Sequence, residues 1–136
     1  MTKHSIKANG IDFHNELADC WSTKYGRGGL RRRNLFFKIR MQECVRRSDR
    51  WLDAGSGSGV LSRELGQLGA DVVAVDGSLK MIKNAKLETD ISHGRIFFKT
   101  IATIEDIDEP DASFDGVLCS SVIEYINYPD LSLIHI

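Results

Sequence analysis

Apolar residues fall into two different rhythms along this chain of 136 residues. Up to about residue 50 they recur at spacings of three and four, the period of a helix with one sheltered face. Over 12–21, Phe13 and Leu17 line up with Ala18 or Trp21; over 30–45, Leu35 and Ile39 line up with Met41 or Val45. Both stripes are expected to turn inward. Between them, Ser-Thr-Lys-Tyr-Gly-Arg-Gly-Gly over 22–29 reads as a loop, because its glycines interrupt the pattern.

The rhythm changes at Arg50. Trp51-Leu-Asp-Ala is a short strand that runs into Gly55-Ser-Gly-Ser-Gly59, after which Val60, Leu61, Glu64, Leu65 and Leu68 repeat at helical spacing until Gly69. Asp71-Val-Val-Ala-Val-Asp76 is nearly continuous in apolar residues, as a strand covered on both faces would be. Ser78 is placed to cap a helix that carries Met81, Ile82 and Ala85. Third and fourth strands are expected over 95–101 and 114–119. Strands alternating with helices of about ten residues make βαβ units and a parallel sheet, so the fold class is α/β. Right-handed crossovers then put the glycine loop at the carboxyl ends of the strands, where such folds bind ligands.

Composition narrows the picture without changing it. The length suits one domain, and the longest apolar runs are far too short for a membrane-spanning helix. Three cysteines, Cys20, Cys44 and Cys119, with no C-x-x-C spacing, suggest neither a disulfide framework nor a metal site, and fit a reducing cytoplasm. The formal charge of −1 conceals a division: residues 1–50 carry a net +7 and residues 51–136 a net −8. A whole-chain balance near zero argues against nucleic acid as the partner, since such domains carry a continuous basic excess. Arg31-Arg-Arg33 is either a site for an anionic group or a solvated helix face.

The glycine loop carries the chemistry. Alternating glycines let the backbone turn sharply and come close to a ligand, and the helix that follows offers unpaired N–H groups. A dinucleotide turn needs G-x-G-x-x-G/A, but the third small position is Val60 when counted from Gly55 and Ser62 when counted from Gly57; no Gly-Lys-Ser/Thr follows to make a P-loop. The loop is therefore built for something other than a pyrophosphate.

Leu52-Asp-Ala-Gly-Ser-Gly-Ser-Gly59 resembles motif I of the class I S-adenosylmethionine-dependent methyltransferases. The resemblance implies that Asp53, Gly55, Gly57 and Gly59 form the floor under the methionine part of the cofactor and that Asp76, ending the second strand, accepts hydrogen bonds from the ribose hydroxyls. Ile101-Ala-Thr-Ile-Glu105 is similar to the adenine-contacting segment of the ubiquinone-biosynthesis O-methyltransferases, which implies a backbone N–H from Ile104 to the adenine. Phe114-Asp-Gly-Val-Leu-Cys-Ser-Ser-Val-Ile-Glu-Tyr125 resembles motif IV, with Ser120 lining the methionine end; where the family ends this motif in Glu-His, this chain has Glu124-Tyr125, so that no general base is identified.

Phe13-His-Asn-Glu-Leu-Ala-Asp-Cys-Trp21 is similar to a segment of the lid helices in the same group, which implies a lid over 1–50, a cofactor-binding half-domain over 51–130 and a tail over 131–136 outside the resemblance. A lid arginine would bind the cofactor carboxylate: Arg32, Arg33 and Arg40 lie near the place, and Arg40 is preferred. Trp21 and Tyr25 are substrate-pocket or core aromatics, and His4, His14, His93 and His135 stand singly with no metal role. The expected architecture is a Rossmann-like sheet of about four strands with flanking helices and an N-terminal lid, an incomplete seven-stranded methyltransferase fold, truncated at its C-terminal end. Its open edge strand would invite self-association. The implied reaction is methyl transfer to an oxygen, nitrogen or carbon of a small molecule. The alternatives are a non-catalytic cofactor-binding module that acts with a partner and, disfavoured by Val60, an NAD-dependent oxidoreductase.

Overall fold

A computed structural model describes residues 11–20 and 28–120. Residues 11–20 are helical (α1) and are followed by α2 (Gly28–Cys44), β1 (Arg50–Ala54), α3 (Val60–Gln67), β2 (Asp71–Asp76), α4 (Leu79–Leu87), β3 (Arg95–Thr100) and β4 (Gly116–Cys119). Single 3₁₀ turns occupy Ile91–His93 and Ile104–Asp106. The four strands form one parallel sheet in the order β3-β2-β1-β4, with Leu52 level with Val73 on one side and Val117 on the other.

One face of this sheet is packed by helices. Leu61 and Leu65 of α3 and Ile82 and Ala85 of α4 meet Val72, Ala74, Phe98 and Leu118, and Met41 and Val45, at the end of α2 and just beyond it, complete the cluster. Both crossover helices lie on the same face because β1 to β2 to β3 steps in one direction and each crossover keeps its right hand. The other face, with Leu52, Ala54, Val73 and Val75, is covered by the β3–β4 connection through Ile101, Ile104, Ile107 and Phe114. At its two ends, Phe97 and Val117 stay exposed. The connection is tied back by Arg50, whose N–H donates to Asp115 at 2.7 Å and whose guanidinium pairs with Glu109 at 2.7 Å and lies over the Phe114 ring.

The strands and the two crossover helices stand where the period change put them, with β4 beginning two residues later than expected. The facing of the N-terminal helices differs. Leu35, Ile39 and Phe13, expected inside, are 57%, 49% and 51% exposed, while Ala18, Met41 and Val45 are buried. In α2 apolar residues occupy both sides, so period alone cannot choose between them; packing against α3 selects the Met41 side. Helix α2 also starts at Gly28, inside the expected loop. Trp21, Tyr25, Glu124, Tyr125 and the tail over 131–136 lie outside the described residues.

Candidate functional site

The loop between β1 and α3 is shaped by three glycines with left-handed φ: 76° at Gly55, 55° at Gly57 and 79° at Gly59. Residues with a Cβ pay a steric cost in that region, so the alternation of glycine and serine is a conformational requirement. Gly59 has a second constraint: a Cβ there would lie 2.9 Å from the Phe98 ring and 3.1 Å from Ala85. The loop is stitched to the end of β2, because the N–H groups of Gly55 and Ser56 both donate to the Val75 carbonyl, at 2.8 and 2.9 Å. Beyond Gly59 the first N–H groups of α3 have no partner within the helix and face the ligand side of the sheet.

Two carboxylates flank this loop in different environments. Asp53 is completely buried in β1 and accepts a 2.6 Å hydrogen bond from Ser62 Oγ of α3. Burial pushes its pKa up to about 7; the Ser62 bond opposes the rise and the negative charge of Asp76 adds to it. Asp76, at the end of β2, is held from two sides: the Gly57 N–H donates to Oδ2 and the Ser78 N–H to Oδ1, both at 2.8 Å. Its carboxyl also lies above the usual range because of burial, against the pull of those two N–H groups and of His14. A carboxylate offers about four lone pairs. Two are taken by backbone, which leaves acceptor capacity for hydroxyls of a ligand.

Other elements converge on the same end of the sheet. Helix α1 docks there: Ser78 Oγ donates to Asn15 Oδ1, Asn84 Nδ2 donates to the Ala18 carbonyl at 3.0 Å, and Ile11 packs over Gly77. Beside β2, the Ile101 N–H donates to the Asp76 carbonyl, and the following 3₁₀ turn buries Ile104 as its first residue, a position whose N–H makes no bond within the turn. Ser120 follows β4, whose last residue Cys119 is level with Ala54. The hydroxyls of Ser56, Ser58 and Ser120 are buried without a hydrogen-bond partner. Such groups cost free energy unless something bonds to them; Ser56 and Ser58 lie within the glycine loop and Ser120 directly follows β4.

Of the residues singled out from sequence, the structure thus gathers Asp53, Gly55, Gly57, Gly59, Asp76, Ile104 and Ser120 at one end of the sheet. Arg40 is not brought to this cluster: its guanidinium pairs with Glu43 at 2.9 Å and lies 5.6 Å from the Phe36 ring centroid, on the exposed side of its own helix. Four contributors were missed. Ser56 and Ser58 sit inside the motif, and Ser62 follows from asking what satisfies a buried Asp53. Asn15 had no local signal, being 63 residues from its partner.

A family model described as a methyltransferase domain matches residues 52–136. Over 137 aligned residues the chain is 34% identical to the mitochondrial ubiquinone biosynthesis O-methyltransferase of Schizosaccharomyces pombe, covering 93% of this chain and 48% of that protein. The chain therefore spans about half the length of this curated relative. Magnesium protoporphyrin IX methyltransferase of Synechocystis PCC 6803, in a structure with bound SAM, superposes with a TM-score of 0.77 at 22% identity, over 96% of this chain and 69% of that one. A Haloferax volcanii methyltransferase structure, solved with the Trm112 activator, gives 0.73 at 26% identity over 90% and 53%.

Proposed function

We propose a reaction from one established premise: the chain belongs to the class I S-adenosylmethionine-dependent methyltransferases, near the ubiquinone-biosynthesis O-methyltransferase group. On that premise the chain carries the cofactor-binding part of an enzyme that methylates an oxygen, nitrogen or carbon of a small molecule. The observation that carries the reading is the double hold on Asp76, which joins the glycine loop to the turn after β2 and leaves acceptor sites for a vicinal diol.

The donor set fits the cofactor. Asp76 would take the ribose hydroxyls, the Ile104 N–H and apolar surroundings the adenine, and the loop from Gly55 to Gly59 the methionine part, with the partnerless hydroxyls of Ser56, Ser58 and Ser120 as further candidates to bond its polar groups. Asp53, held by Ser62, would support the loop from below. When bound, S-adenosylmethionine supplies an electrophilic methyl on a sulfonium centre. The chain's own part is to orient and to exclude water, which a displacement at a charged sulfur rewards strongly. Helix α1, fixed by Asn15 and Ala18, would form part of that cover. The carboxylate-binding role is not carried to Arg40, which is committed to Glu43.

Titration calorimetry of the chain with S-adenosylmethionine and with NAD tests the binding half of the proposal: S-adenosylmethionine is expected to bind, and NAD binding in its place would reject it. Methyl transfer to phenols, carboxylic acids and amines tests the rest. Tight cofactor binding with no transfer to any of these would favour a binding module that works through a partner. The location proposed is the cytoplasm, with the three cysteines reduced; the Schizosaccharomyces relative is mitochondrial by name, and among the described residues no helix is long and apolar enough to cross a membrane.

A further inference from the structure

Arg63 touches none of the carboxylates at the site, yet it grips the glycine loop twice. Its backbone N–H donates to the Gly59 carbonyl at 3.0 Å as α3 begins, and its Nη1 reaches back to donate to the Ser58 carbonyl, also at 3.0 Å. The end of α4 aims the guanidinium from the other side. Nη2 pairs with Glu88 at 3.2 Å, and Nη1 lies 3.4 Å from Thr89 Oγ1, whose hydroxyl donates to the Ala85 carbonyl at 2.6 Å. The side chain is only 13% exposed, and a charge-assisted bond withdrawn from water is stronger than one at the surface. Gly59, at the start of the helix, offers no side-chain cap that could do the same work.

The peptide units of the loop divide accordingly. Ser56–Gly57 is held at both ends: its carbonyl accepts from the Gly59 N–H at 3.0 Å and its N–H donates to Asp76 at 2.8 Å. Ser58–Gly59 is also held at both ends, by that same Gly59 N–H and by Arg63 at its carbonyl. The unit between them, the Gly57 carbonyl with the Ser58 N–H, makes no hydrogen bond among the described residues.

We propose that Arg63 is a positioning residue of the ligand loop: by fixing the Ser58 carbonyl against the end of α4, it sets the plane of the unpaired Gly57–Ser58 peptide and presents that peptide to the cofactor in one orientation. The proposal rests on the reading that this loop receives the methionine part of S-adenosylmethionine. An ion pair that served only to join α3 to α4 would need Glu88 alone. Here one nitrogen of the planar fork goes to Glu88 and the other to the loop, a division that a single ammonium point charge does not reproduce. Asp76 from the sheet side and Arg63 from the helix side then clamp the two peptides on either side of the unpaired one.

Arg63→Met, which keeps an apolar stem and removes the guanidinium donors, tests the proposal in the 136-residue chain by two measurements. In the free protein, amide exchange at Gly59 is expected to speed up by about tenfold or more, with exchange at Val73 in the centre of the sheet unchanged. By calorimetry, S-adenosylmethionine is expected to bind about tenfold more weakly. Lys38→Met is the control: it removes the 3.1 Å pair that α3 makes with α2 through Glu64, away from the loop, and is expected to change neither reading. Unchanged Gly59 exchange in Arg63→Met, exchange that rises equally at Gly59 and Val73, or unchanged affinity would each overturn the proposal. The exchange measurement needs no cofactor. If the unsubstituted chain failed to bind S-adenosylmethionine, the cofactor reading of the loop would fall, and exchange at Gly59 would still decide whether Arg63 holds it.

Discussion

Asp53 is a carboxyl group in a place where only a neutral or well-bonded group is at ease. Its folded-state pKa of about 7 lies above the ordinary 3.8, so between those values the unfolded chain has already lost the proton that the folded chain keeps. The contribution of this group to stability is then largest below 3.8 and falls as pH rises to about 7, where the cost of the buried charge sets in. Asp53→Asn, whose amide oxygen can still accept from Ser62, is expected to abolish that slope and to stabilise the chain at pH 8 on the order of a few kcal/mol; equal pH dependence of the melting curves for the two proteins would contradict the assignment. The pKa of Asp76 is raised by burial in the same direction, but the Gly57 and Ser78 N–H groups hold its carboxylate and pull against the rise. Asp76→Ala is expected to weaken S-adenosylmethionine binding about a hundredfold, and unchanged affinity by calorimetry would reject the ribose role. Both aspartates were legible from their position at the glycine loop and at the strand end. Ser62 and Asn15 were not, since a hydrogen-bond partner across the fold leaves no mark on local periodicity.

Among the elements, strands and crossover helices were legible because each carries one unambiguous apolar pattern. The run over Asp71–Asp76 admits only a strand covered on both faces, and β2 has that burial. Helix α2 was legible as a helix but not in its facing, since apolar residues on two sides satisfy the same period and only the neighbour α3 decides between them. The covering of the second sheet face by the β3–β4 connection was likewise hidden, because its apolar residues are scattered among acids. At α4 the sequence reading extends further: Ser78 caps the helix by accepting from the Met81 N–H and in addition donates to Asn15 of α1. Ser78→Ala is expected to cost about 2 kcal/mol in denaturant unfolding, from the lost cap and the lost interhelix bond. Ser78→Thr, which keeps both groups, is expected to recover most of it; a loss equal to that of alanine would show that neither bond matters.

For the molecule as a whole, the division of charge now has a physical setting. The basic first third supplies α2 with its outward arginines, and the acidic remainder carries the sheet and its two buried carboxylates. The sheet has two edges, and among the described residues β4 pairs only with β1. Val117 is 41% exposed on that edge strand, so the chain by itself is expected to self-associate through β4, with a sedimentation coefficient that rises with concentration and a Val117→Lys variant that stays monomeric. A chain that sediments as a monomer at every concentration would exclude it. The hold of Val75 on Gly55 and Ser56, with that of Asp76 on Gly57 and Ser78, has a consequence for binding at this scale. These bonds are made within the chain itself, so holding a ligand there asks for little further ordering of the loop. Amide exchange at Gly55, Ser56 and Gly57 should then be slow in the free protein and should change little on binding, with affinity set by contacts made and not by structure formed.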